Sequence, residues 1–99
     1  KHACLASSDF FEYLEKNIDK IMAVDKDVCE KVAEENCRIK YHIVMKDERE
    51  SGLREVLNLG HTVGRAIETV SDYRLLHGEA LAIGMVAEVN LAKKMGYVT

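Results

Sequence analysis

Apolar residues recur at spacings of three and four along most of this chain, the pattern of amphipathic helices. In LASSDFFEYLEKNIDKIMA, Phe10, Phe11, Leu14, Ile18, Ile21 and Met22 fall on one face of a first helix. Ser8 before Asp9 offers an N-cap, with Glu12 close to the capping-box position. Asp25 caps a second helix, whose stripe of Val28, Val32 and Ile39 runs on through YHIVM. That last stretch is partly β-branched, which leaves a local strand open, but no turn signal separates it from Cys37-Arg38. KDERESG, residues 46 to 52, ends the helix at Gly52 and reads as a largely solvated charged turn, with Glu50 a weak candidate for supporting a nearby site. A third helix is expected from about Leu53 to Val70, with SDYRLL as a connector. A fourth runs from near His77 to about Met95 and stops at Gly96. Being apolar almost all the way round, it is expected to be central. The fold class is all-α.

Composition narrows the class. With 47% hydrophobic and 31% charged residues, the 99-residue chain has the balance of one small globular domain rather than a disordered segment. No apolar run approaches the roughly 18 residues of a transmembrane helix, and no signal peptide opens the chain. A net charge of −3 argues against nucleic acid as a partner. Three cysteines without a CxxC pair, Cys4, Cys29 and Cys37, read as small buried hydrophobes in a reducing cytoplasm, and the methionines read as core. A start at Lys1, an end just beyond an apolar helix and the lack of proline suggest a stretch of helices cut from a larger protein.

The chemistry concentrates in residues 54 to 79. On a helical wheel stepping roughly 100° per residue, Arg54, Asn58, His61, Arg65 and Glu68 share one strip, opposite Val56, Leu59, Val63, Ile67 and Val70. The strip is compatible with a solvated face. It also offers guanidiniums that fork onto carboxylate or phosphate, an amide and a metal-ligating imidazole. Gly60 and Gly64 flank it, at a cost of about 1 kcal/mol each inside a helix, and favour the second reading. His77 starts the fourth helix sixteen residues after His61, where a positive helix end disfavours imidazolium. A capping or packing role and a shared metal site both fit these two histidines. Zinc in a catalytic site needs a third protein ligand, for which Glu68 and Glu79 are the nearby candidates.

The run Lys40, then Asp47-Glu48-Arg49-Glu50-Ser51-Gly52-Leu53-Arg54, Leu57-Asn58-Leu59-Gly60-His61-Thr62-Val63-Gly64, Ala66-Ile67-Glu68 and Leu76-His77-Gly78-Glu79-Ala80 closely resembles the 3-dehydroquinate synthase family. FFEYLEKN and the segment from Cys37 to Lys40 are also similar to it, so the resemblance covers essentially the whole chain. It implies a two-domain, NAD-dependent lyase with bound zinc or cobalt. Such an enzyme converts 3-deoxy-D-arabino-heptulosonate 7-phosphate, a small sugar-acid phosphate, to 3-dehydroquinate and phosphate in the shikimate pathway. Residues 1–99 would be part of its C-terminal helical domain, without the N-terminal NAD-binding domain. The resemblance implies His61 and His77 as metal ligands and Lys40, Arg54, Asn58 and Arg65 as substrate contacts, with Lys1, Lys40 and Arg54 catalytic. Lys1 would close an Ala-Glu-Val-Ile-Lys motif whose glutamate, the third ligand, lies three residues before the chain. A cytoplasmic homodimer is implied for the full-length enzyme, and an inactive isolated segment.

Arg65 departs from the pattern, because the family more usually reads GHTxGHAIE where this chain has GHTVGRAIE. Arginine grips phosphate but cannot shuttle a proton near neutrality. Three rivals remain: another sugar-phosphate cyclase, a metal-dependent alcohol dehydrogenase of similar fold, and a helical interaction module without chemistry. Lys40 and Arg54 weigh against the first, whose substrates carry no carboxylate.

Overall fold

The computed structural model describes residues 1–99, all helices and connecting turns with no strand, as the periodicity requires. No helix is long and apolar enough to cross a membrane. The chain divides into two compact units, residues 2–54 and residues 55–99 together with Lys1.

The first unit is built on one long helix. α1 (His2–Ala6), α2 (Ser8–Lys16) and α3 (Ile18–Met22) precede α4 (Lys26–Lys46). The single helix expected from Ser8 to Met22 is thus two short ones, α2 and α3, and α1 precedes them. Ser7, not Ser8, caps α2, its hydroxyl accepting the Phe10 N–H at 3.1 Å. The chain breaks at Asn17, whose side-chain amide turns back to donate to the Tyr13 carbonyl at 2.8 Å. Asp25 caps α4 as its position predicts, accepting the Val28 N–H at 3.1 Å. Each such cap contributes about 1 kcal/mol. The YHIVM stretch is helical to its end, because Ile39 and Ile43 continue the stripe begun by Val28 and Val32. Ala3, Phe10 and Ile39 form the core here, with Tyr13, Leu14, Val32 and Ile43 packed on them.

The charged turn after α4 is not merely solvated. Asp47 is 5% exposed. Its carboxylate accepts the Ser51 N–H (2.6 Å) and hydroxyl (2.8 Å), the Gly52 N–H (2.9 Å) and the Arg54 N–H (2.8 Å). Glu48, Arg49 and Glu50 are exposed, as the charge run suggests.

The second unit corrects the expected third helix. Residues Leu53–Asn58 form a 3-10 helix, Leu59 and Gly60 turn, and α5 covers only His61–Val70. Gly60 adopts φ +81°, a left-handed conformation that ends any continuous helix through this point and that glycine accepts at no steric cost. The five-residue polar strip is therefore split. His61, Arg65 and Glu68 share a face of α5, while Arg54 and Asn58 belong to the tighter 3-10 turn. Val70, placed by the wheel on the covered side, is 88% exposed.

α6 (His77–Lys94) ends where Gly96 predicts. It is not enclosed within this chain: Ala80 and Gly84 are buried, whereas Ile83, Val86, Val89 and Leu91 are exposed. Apart from the half-buried Met85, the sulfur residues are not core either. Cys4 and Cys37 are exposed, Cys29 is half-buried, and all three are free thiols. Met22, Met45 and Met95 are exposed. Composition measures how apolar a residue is, and these positions lie off the faces that α1 to α4 and α5 with α6 bury.

Candidate metal centre

His61 opens α5 and His77 opens α6, and glycine lets these helices cross at backbone contact. A Cβ on Gly84 would collide with the Gly60 carbonyl oxygen and lie 2.8 Å from the Gly64 nitrogen. One on Gly64 would meet the Leu81 side chain at 2.8 Å and the Ala80 carbonyl at 3.2 Å. With the axes that close, the two imidazoles lie with centroids 5.7 Å apart and planes at 68°.

Their hydrogen bonds fix which nitrogens are available. Nδ1 of His77 is 2.9 Å from Glu68 Oε1, and Nδ1 of His61 is 3.3 Å from the Leu59 carbonyl. A carboxylate and a carbonyl can only accept, so each Nδ1 must donate. In the neutral rings the lone pair then sits on Nε2, the tautomer that a metal ligand needs, held by the kind of oxygen partner that commonly orients ligating histidines. A tetrahedral ion about 2.0–2.1 Å from each nitrogen holds two imidazole centroids roughly 5 Å apart, close to the observed spacing. Two imidazoles with Nε2 free are the type of donor that zinc or cobalt takes.

The two glutamates considered as a third ligand are committed elsewhere. Glu68 contacts His77 Nδ1, and Glu79 reaches back to accept the Leu76 N–H at 2.8 Å at the start of α6. No group of three His, Cys, Asp or Glu side chains converges within these residues.

The other sequence-derived candidates are distributed as follows. Lys1 donates to the Leu57 carbonyl at 2.7 Å, in the unit that carries both histidines. Asn58 is exposed at the end of the 3-10 helix, and Arg65 is exposed one turn along α5 from His61. In the other unit, Lys40 is exposed on α4. Arg54 has Nε 3.4 Å from Glu50 Oε1 and Nη1 donating to the Glu48 carbonyl at 3.3 Å. Its backbone N–H is one of the donors on Asp47. Hydrogen bonds from Arg54 first, then from Ser51 and Gly52, hold the Asp47 carboxyl well below the usual aspartate range, at about 2.

Sequence reasoning passed over Glu88. From α6, its Oε2 accepts the Gly60 N–H at 2.7 Å and its Oε1 the Val63 N–H at 3.2 Å. Gly60 has no side chain to cap α5, so the acceptor comes from 28 residues away. The one available signal was a glutamate standing among apolar neighbours on α6.

The model of the family described as 3-dehydroquinate synthase C-terminal matches residues 1–99. A 3-dehydroquinate synthase of Thermodesulfovibrio yellowstonii is 48% identical over 99 residues, 99% of this chain and 28% of that protein. Those of Acetivibrio thermocellus and Geobacter metallireducens are 47% and 48% identical, over 93% and 100% of this chain and 26% and 28% of their own lengths. The chain thus spans about a quarter of the relatives it matches.

Proposed function

Since the chain belongs to the 3-dehydroquinate synthase family, we propose that it forms part of the metal- and substrate-binding helical domain of an enzyme making 3-dehydroquinate and phosphate from 3-deoxy-D-arabino-heptulosonate 7-phosphate. The observation that carries this reading is the His61–His77 pair, 5.7 Å apart, each ring bound through Nδ1 to an acceptor. His61 and His77 would hold zinc or cobalt through Nε2. The third ligand would be a glutamate preceding Lys1.

When bound, the metal supplies Lewis acidity toward a substrate hydroxyl, and NAD supplies a reversible two-electron acceptor. The chain's own residues bind and orient. Arg54, whose guanidinium pairs with Glu50 and donates to the Glu48 carbonyl, would offer its remaining N–H donors to a substrate anion. Lys40 adds a point charge, and Asn58 can donate to and accept from hydroxyls. Arg65 would grip phosphate, a role compatible with the substrate's own phosphate taking the proton lost during elimination. Lys1, fixed by the Leu57 carbonyl, places a further ammonium in the metal-binding unit. We place the full-length protein in the cytoplasm as a homodimer, and expect the isolated 99 residues to be inactive.

The test is metal analysis and turnover of the full-length protein with His61→Ala and His77→Ala. Wild type should carry one ion per chain and make dehydroquinate without accumulating NADH. Each variant should lose the ion and fall to background turnover. Full turnover by both variants, or a wild type without metal after purification in zinc, would refute the reading. Net NADH production would instead identify a dehydrogenase.

A further inference from the structure

We infer that Glu88 is a positioning residue for the metal centre, setting where His61 stands relative to His77. The inference rests on the metal-binding reading of those two histidines. His61 lies between Gly60 and Val63, and both of those backbone N–H groups are held by the one Glu88 carboxylate, at 2.7 and 3.2 Å. Glu88 belongs to α6, the same continuous helix that begins with His77. One side chain therefore ties the start of the His61 helix to the body of the His77 helix. The glycine crossing brings the helices close but leaves the first turn of α5 without a cap of its own, because Gly60 has no side chain.

Charge favours the arrangement, since a carboxylate at a helix N-terminus faces the positive end of the helix dipole. Chain path favours it as well. With the Gly60 N–H taken by Glu88, the Leu57 carbonyl is left to Lys1, so the turn leading into His61 is held from both sides. Without Glu88 the first turn of α5 loses two acceptors and can fray, moving His61 while Glu68 keeps His77 in place. The ion would then meet one ring in position and one displaced.

The test uses full-length protein loaded with cobalt(II), whose visible absorption reports ligand geometry independently of turnover. Glu88→Gln keeps the side-chain shape and one acceptor oxygen, and Glu88→Ala removes both. Glu88→Gln should weaken cobalt binding about tenfold, the lower end of what groups supporting a metal ligand contribute, and shift the visible band. Glu88→Ala should do both more strongly, while far-ultraviolet circular dichroism of Glu88→Gln stays that of wild type. Wild-type cobalt affinity and spectrum in Glu88→Gln would overturn the inference, including where Glu88→Ala unfolds, since Glu88 would then be a stability cap alone. A wild-type protein that takes up no cobalt would refute the metal reading itself, and this inference with it.

Discussion

Glu68 Oε1 lies 2.9 Å from Nδ1 of His77, and the carboxylate is the more buried partner, its side chain 15% exposed against 59% for the imidazole. A half-buried acceptor holding a more exposed ring is an orienting contact, because the glutamate has little freedom to follow the histidine. Seven residues separate Glu68 from His61 on α5, so one helix carries one ring of the pair and the support for the other.

Removing that support should loosen the metal without unfolding the protein. Glu68→Ala in the full-length enzyme should weaken zinc binding about 10- to 100-fold, read by competition with a chromogenic chelator. Glu68→Gln should recover part of the loss, since its amide oxygen still accepts the Nδ1 proton. Unchanged affinity in Glu68→Ala would mean that His77 is held by its helix alone.

The crossing of α5 and α6 makes a second expectation. Adding a methyl at Gly84 drives it into the Gly60 carbonyl and against the Gly64 nitrogen, both backbone atoms that cannot rotate away. Gly84→Ala should cost about 1–3 kcal/mol of stability, as overpacking does, and should lower metal occupancy because the imidazole pair spreads with the helices. Gly78→Ala is the internal comparison. Nothing lies within 4 Å of its added Cβ, so it should be neutral or stabilising by up to about 1 kcal/mol. Denaturation midpoints of the two variants check this, and equal effects would contradict the close crossing.

Asp47 should make stability fall in acid. Its folded pKa is depressed to about 2, chiefly by the Arg54 and Ser51 backbone donors, against about 3.9 in an unfolded chain. A depressed carboxylate contributes fully above the unfolded value and loses its contribution as pH falls through the folded one. The expected loss therefore runs from pH about 4 down to about 2. Asp47→Asn should lower the unfolding temperature at neutral pH and flatten its fall across that window. Parallel wild-type and variant curves would show that the hydrogen bonds matter without the charge.

How much of this was legible follows from where each signal lies. The α4 stripe of Val28, Val32 and Ile39 and the stop at Gly96 are local, so periodicity read them directly. The break at Leu59 and Gly60 was not legible, since glycine inside an apolar pattern is tolerated in a helix. The turn's free Gly60 N–H is taken by Glu88, 28 residues on. Asp47 looked like part of a solvated run because its four donors come from Ser51, Gly52 and Arg54 around a turn that no periodicity describes. Spacing left the two histidines open, and their approach depends on Gly84, which a wheel drawn for one helix does not contain.

Arg65 provides the sharpest check on the proposed chemistry. It stands one turn beyond His61 on α5, exposed, where the family more usually has histidine. A guanidinium stays protonated at any pH a cell reaches, so a chain that works with arginine here cannot be using this position as a proton shuttle. Arg65→His in the full-length enzyme should therefore act mainly on binding. KM for the phosphate substrate should rise several-fold as the bidentate fork is lost, and kcat should change by less than about tenfold, worth roughly 1.4 kcal/mol of barrier. The pH profile of kcat should keep its wild-type shape. A rise in kcat of several orders of magnitude at constant KM, with a new limb near the histidine range, would reverse the assignment and identify the natural arginine as a loss of acid–base function.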